Sequence, residues 1–121
     1  MKKIVLIVIL FFFITCKNEN QEHPEKPSQT EKISGKELFE NKGNCIACHQ
    51  AEQKTIGPSL IEIAQIYKQK KGNIILFLKA ENDPIVDPSQ YEIMKTNFAI
   101  TKSMSDDELQ ALQDYIYTFA K

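Results

Sequence analysis

Histidine and cysteine are scarce in this 121-residue chain, which holds two of the first and three of the second. A closed structural zinc site needs four ligands. Cys45, Cys48 and His49 lie close together, but the remaining candidates, Cys16 and His23, both sit in the N-terminal region. That separation argues against tetrahedral zinc. A redox-active Cys-x-x-Cys belongs at a strand-to-helix junction, and no convincing strand precedes Cys45. Long apolar runs are also missing. The longest, residues 4–14, has eleven residues. As a helix it would reach about 16 Å, short of the roughly 30 Å hydrocarbon core of a bilayer. Basic charge is not in excess: the formal net charge is −1, which argues against nucleic acid as a partner. No internal repeat or low-complexity stretch occurs within residues 34–121.

What the chain does contain is Cys45-Ile46-Ala47-Cys48-His49, the C-x-x-C-H sequence by which a c-type haem is attached. The spacing follows from the chemistry. Each of the two vinyl groups of a haem accepts one thiol to form a thioether. Cysteines three apart on a helical turn project to the same side, so both sulfurs reach one porphyrin edge. The histidine that follows is placed to donate a ring nitrogen to the iron as the proximal ligand. Cys45 and Cys48 are therefore the expected attachment points, and His49 the expected iron ligand.

Residues 1–15 read as a signal peptide. Lys2 and Lys3 form a positive start, the apolar run follows, and the segment ends in Phe13-Ile14-Thr15-Cys16 before polar chain. This resembles a bacterial lipoprotein signal, in which the cysteine is lipidated and becomes the first residue of the mature protein. Thr15 and Phe13 stand where Gly, Ala or Ser and Leu are usual. On this reading all three cysteines have an assignment, with Cys16 carrying lipid and the other two haem. Two acyl chains suffice for stable anchoring at about 0.8 kcal/mol per buried methylene. Residues 16–33 would be the lipidated cysteine and a polar tether, nearly free of apolar side chains and about 20–25 Å in mean span. His23 is then a solvated linker residue. The expected location is the cell envelope, as a periplasm-facing membrane lipoprotein.

Residues 34–121 form one small domain with four predicted helical segments. The first starts at the capping box Ser34-Gly35-Lys36-Glu37 and ends at Gly43. The second follows Pro58, suited to the first helical position, with Leu60, Ile63, Ala64 and Tyr67 on one face. The third begins at Asn73, carries Ile74 to Leu78 and then Ala80, and ends at Asn82-Asp83-Pro84. The fourth opens at a second capping box, Ser105-Asp106-Asp107-Glu108. It carries the stripe Leu109, Leu112, Ile116 and Phe119. The fold class is all-α. A domain this small makes little apolar core unaided, so an apolar macrocycle would complete its packing.

With these residues placed, the domain resembles a small class I monohaem cytochrome c of the bacterial soluble type. The likeness rests on Gly35 and Phe39, the C-x-x-C-H run, Gly57-Pro58-Ser59-Leu60, and the acidic start and aromatic end of the last helix. It implies four helical segments packed around one covalently bound haem c. It also implies a first helix whose Gly35 and Phe39 meet the Leu112 to Tyr115 region. Pro58 would support the proximal imidazole through a backbone carbonyl, which fixes its tautomer and ring plane.

The sixth ligand is expected to be a methionine, because the second histidine lies in the tether. Met104 immediately precedes the cap Ser105 and is explained as a hydrophobic staple against Leu109. Met94 lies in an irregular stretch after Pro88, where the family supplies its distal methionine. Met94 is therefore the expected ligand and Met104 the runner-up, although Lys95 follows Met94 where many relatives have proline. The resemblance implies a one-electron carrier rather than an enzyme, working with redox protein donors and acceptors such as respiratory complexes. Lys42, Lys54, Lys95 and Lys102 are candidates for steering that docking. Two alternatives stay open: a haem-based sensor or peroxidase-like protein with a displaceable sixth ligand, and an accessory cytochrome subunit of a respiratory complex.

Overall fold

A computed structural model describes residues 32–121. The expected signal peptide, Cys16, His23 and most of the tether lie outside the described residues. Among the described residues every regular element is helical, as the all-α reading requires. The four expected segments are all present, and two further short helices accompany them.

Helix α1 (Gly35–Glu37) starts where the Ser34 hydroxyl accepts the Glu37 N–H at 3.3 Å, satisfying one of the orphan donors of a helix start. It runs directly into a π-helical turn over Leu38–Lys42, closed by the Gly43 N–H on the Leu38 carbonyl at 2.6 Å. Gly43 is packed too tightly for a side chain: a Cβ there would lie 2.7 Å from the Leu38 carbonyl oxygen and 3.0 Å from Cys45 Sγ. Asn44 then adopts the left-handed conformation, with φ 49°, which asparagine tolerates better than most residues. The chain turns there into the 3₁₀ segment Cys45–Ala47.

Helix α2 (Leu60–Lys70) is capped by Ser59, whose hydroxyl accepts the Glu62 N–H at 3.2 Å. Pro58 therefore precedes the cap rather than opening the helix, a shift from the sequence expectation. The competing serine oxygen sets the boundary. Helix α3 (Ile74–Leu78) is capped by Asn73 as expected, through the Leu76 N–H at 2.9 Å. It ends earlier than expected. Ala80 turns left-handed at φ 61°, and the Glu81 N–H closes back on the Leu76 carbonyl at 2.8 Å. Backbone reversal stops this helix before Asn82-Asp83-Pro84, and Ala80 is exposed rather than on an apolar face.

The largest departure lies between residues 84 and 104. The expected irregular stretch contains a 3₁₀ turn over Pro88–Gln90, then α4 (Tyr91–Lys95) and α5 (Phe98–Thr101). Asp87 caps the turn through the Ser89 N–H at 3.2 Å. Tyr91, Met94, Phe98 and Thr101 recur at i, i+3, i+7 and i+10, and all four are buried or half-buried. That spacing fits one helical face, interrupted where α4 gives way to α5. Phe98 sits edge-on to Phe77 at 5.4 Å and to Tyr91 at 6.1 Å. Such aromatic pairs contribute about 0.5–1.5 kcal/mol each beyond burial. Thr101 is fully buried, its hydroxyl donating to the Leu78 carbonyl at 2.6 Å, which fastens α5 to the end of α3.

Helix α6 (Asp106–Tyr117) has the complete capping box, with the Ser105 hydroxyl accepting the Glu108 N–H at 3.2 Å and the Glu108 carboxylate accepting the Ser105 N–H at 3.0 Å. Its buried stripe, Leu109, Leu112 and Ile116, packs against α1, α2 and α3. The crossing with α1 is very close. A Cβ on Gly35 would lie 2.0 Å from the Ala111 carbonyl oxygen and 2.7 Å from Tyr115 Cβ, and the Phe39 and Tyr115 rings stand 5.6 Å apart. Gly35 and Phe39 thus meet the part of α6 that the resemblance implies. Gly35→Ala must push α1 away from α6. A loss of about 3 kcal/mol is expected, the upper end for overpacking a core, measured by denaturant unfolding of the haem-loaded protein.

Candidate functional site

The helices leave a largely apolar cavity of about 190 Å³. Three helices supply its walls: Leu60, Ile63 and Tyr67 of α2, Ile74, Phe77 and Leu78 of α3, and Leu112 and Ile116 of α6. Residues 84–97 supply a further wall that includes Pro84, Val86, Tyr91 and Met94. Into this apolar space the motif segment brings Cys45, Cys48 and His49 together.

The two cysteines differ in setting. Cys45 is buried, its Sγ 3.5 Å from the Gly43 carbonyl, and burial pushes its thiol up to about 11. Cys48 is half-exposed. Neither cysteine is in a disulfide.

His49 is held by its neighbours. Nδ1 lies 2.8 Å from the Pro58 carbonyl oxygen. A carbonyl only accepts, so in the neutral ring the proton sits on Nδ1 and Nε2 keeps the lone pair. Burial holds the imidazole below its ordinary value, the Pro58 contact opposing that shift. Gly57 lies flat against the ring: a Cβ there would be 2.4 Å from His49 Cε1 and 2.7 Å from Nδ1. The loop bearing these residues closes on itself. Gly57 N–H and the Thr55 hydroxyl both donate to the Cys48 carbonyl, at 2.8 and 2.7 Å.

The two candidate methionines part company here. Met94, on α4, lines the cavity. Met104 is buried elsewhere in the core, with its methyl carbon 3.3 Å from where a Gly43 Cβ would stand. Three of the four lysines singled out for docking are engaged. Lys42 pairs with Glu108 at 2.6 Å, Lys54 with Asp87 at 2.7 Å, and Lys95 with Glu92 at 3.1 Å. Among the described residues no group of three or more His, Cys, Asp and Glu side chains comes together that could hold a bare metal ion.

Some site residues carry no local sequence signal. Tyr67 registers in the sequence only as part of a buried helical face, yet its ring lines the cavity, and burial raises its hydroxyl well above the usual value. Asp87 and Asn97 also reach the cavity. Nothing in their spacing marks them, because their neighbours are distant in the chain.

The residues present fit a haem: two thiols and an unprotonated imidazole nitrogen at one side of an apolar cavity, with glycine where a side chain would displace the imidazole. The cytochrome c family model matches residues 33–120, nearly the whole described domain. The chain is also 59% identical over 29 residues to cytochrome c-552 of Nitrosomonas europaea, a stretch covering 24% of this chain and 28% of that protein. An all-α domain built round a C-x-x-C-H site defines a covalent haem protein. The chain belongs to the cytochrome c family, and its cofactor is haem c.

Gly57→Ala places a methyl group against the imidazole and should break the bond from Nδ1 to Pro58. The expected sign is loss of the slowly exchanging His49 ring N–H resonance in the NMR spectrum, with the rest of the fold retained.

Proposed function

We propose that this protein is a one-electron carrier in which Cys45 and Cys48 hold haem c through thioethers and His49 and Met94 are the axial ligands. The observation that carries this reading is the convergence of those four side chains on one cavity from which Met104 is absent. Bound haem supplies an iron that gains and loses one electron. The chain's own residues do the rest. Pro58, accepting from Nδ1, holds the His49 ring so that Nε2 is the nitrogen available to the metal and raises its basicity. Met94, on the short helix α4, brings a thioether sulfur to the same cavity. With His49 and Met94 both holding the iron, no open place would remain for substrate, and His/Met ligation would raise the reduction potential relative to bis-His. The largely apolar walls would leave few polar groups around the haem to reorganise during transfer.

Donor and acceptor would be other redox proteins meeting the domain at its cavity mouth. With Lys42, Lys54 and Lys95 each compensated by a carboxylate, long-range steering by those lysines would be weak. The protein would be exported and held at a membrane facing the periplasm through lipid on Cys16. The apolar run, the abrupt ending at Cys16 and the polar stretch behind it support this location.

A reduced-minus-oxidised spectrum, with haem stain surviving denaturing electrophoresis, tests the covalent cofactor. Met94→Ala should abolish the charge-transfer band near the red end of the oxidised spectrum and let the reduced protein bind carbon monoxide. Met104→Ala should keep the band and cost about 2–5 kcal/mol of stability as a core truncation. Carbon monoxide binding by the unaltered reduced protein would point instead to a sensor or peroxidase-like role. Cys16→Ser should move the protein from the membrane fraction to the soluble fraction of a cell envelope preparation. Retention in the membrane would overturn the lipid anchor.

A further inference from the structure

Residues 84–101 carry Met94, while residues 34–58 carry the haem-attachment motif. Among the described residues, two side-chain polar contacts join these segments. One is the exposed ion pair of Lys54 with Asp87, in which the lysine side chain is 54% exposed. Solvent screens such a pair. The other is partly buried: Asn97 Nδ2 donates to the Gly43 carbonyl at 2.9 Å.

The position of Asn97 makes this bond more than a generic tie. It stands at the junction of α4 and α5, and its backbone N–H donates to the Met94 carbonyl at 3.0 Å. Its own carbonyl accepts from Ile100 and Thr101 at 3.0 and 3.1 Å, so the residue is fixed by the following helix. The acceptor is equally constrained. Gly43 closes the π-helical turn, and its carbonyl faces Cys45 Sγ. One side chain thus links the backbone of Met94 to the backbone beside the first attachment cysteine. A partly buried amide bond resists solvent competition better than the exposed ion pair does.

We propose that Asn97 is a positioning residue that latches α4 to the haem-attachment loop and so keeps Met94 from being exchanged as sixth ligand. The inference rests on the reading of Met94 as an iron ligand. Without the Asn97 donor, α4 keeps its aromatic packing through Tyr91 but loses its tie to the attachment loop, so Met94 leaves more often and the sixth position opens to external ligands. Lys54, by contrast, contributes little to holding it.

The experiment uses the haem-loaded full chain. Asn97→Asp keeps the shape but removes the donor and sets a carboxylate against the Gly43 carbonyl. Asn97→Ser, which is too short to reach, serves if the aspartate variant does not mature, and Lys54→Ala is the control. Both Asn97 variants should show a weakened charge-transfer band. They should bind carbon monoxide in the reduced state about tenfold faster than the unaltered protein, the population change that loss of one buried hydrogen bond gives. Lys54→Ala should match the unaltered protein. If the Asn97 variants keep the full band and the original binding rate, the latch is refuted, even if thermal stability falls. If the unaltered protein itself lacks the band, the Met94 reading fails and the latch falls with it.

Discussion

The hydrogen bond between His49 Nδ1 and the Pro58 carbonyl is the contact on which the site depends. It spans nine residues and closes the loop after the cysteines onto the start of α2. Other bonds reinforce the same closure: Leu60 N–H to the Gln50 carbonyl at 2.9 Å and Ile61 N–H to the Ala51 carbonyl at 3.2 Å. The imidazole is therefore oriented by backbone that is itself held by a capped helix. Rotating that ring would require moving α2, whose Leu60, Ala64 and Tyr67 are buried in the core. The orientation of the imidazole thus follows from ordinary helix capping and one carbonyl.

The rest of the domain surrounds this loop with apolar walls. Leu60, Leu109 and Leu112 are almost completely buried, each worth about 1.5–3 kcal/mol of burial. The α1–α6 crossing brings two helix backbones together through Gly35 and sets the frame on which the cavity is built. The aromatic rings of Tyr67, Phe77, Tyr91 and Phe98 connect α2, α3, α4 and α5, so the wall that carries Met94 is tied to the wall facing it through side-chain packing. In a domain of this size the walls leave a cavity that a bound macrocycle would complete.

Much of this was legible in the sequence because the informative signals were local. The pentapeptide names its chemistry through five adjacent residues. Ser34, Asn73 and Ser105 each announce a helix by a side-chain oxygen three residues before the backbone N–H it caps. The misplaced features depend on competition or distance. Pro58 suits a first helical position, yet Ser59 wins because its hydroxyl satisfies a donor that proline's ring cannot. The end of α3 was obscured because Ala80, a good helix former, takes a left-handed conformation that its own chemistry does not favour. Helices α4 and α5 have a weak signal in the sequence because the polar run Lys95, Thr96 and Asn97 separates Tyr91 and Met94 from Phe98 and Thr101. The roles of Gly57 and Asn97 lie in contacts with His49 and Gly43, which only the folded chain brings together.

The π-helical turn at Leu38–Lys42, together with the left-handed Asn44, sets the direction in which the chain passes from α1 to the cysteines. Its closing bond spans one residue more than an α-turn, and each residue of an α-helix advances the side-chain direction by about 100°. The segment therefore acts as a built-in offset between the helix that packs on α6 and the cysteines that must face the cavity. Shortening it by a single residue would leave α1 packed correctly while rotating the thiols away from the pocket. The number of residues between Gly35 and Cys45 is consequently dictated by the packing at its two ends rather than by the exposed side chains between them.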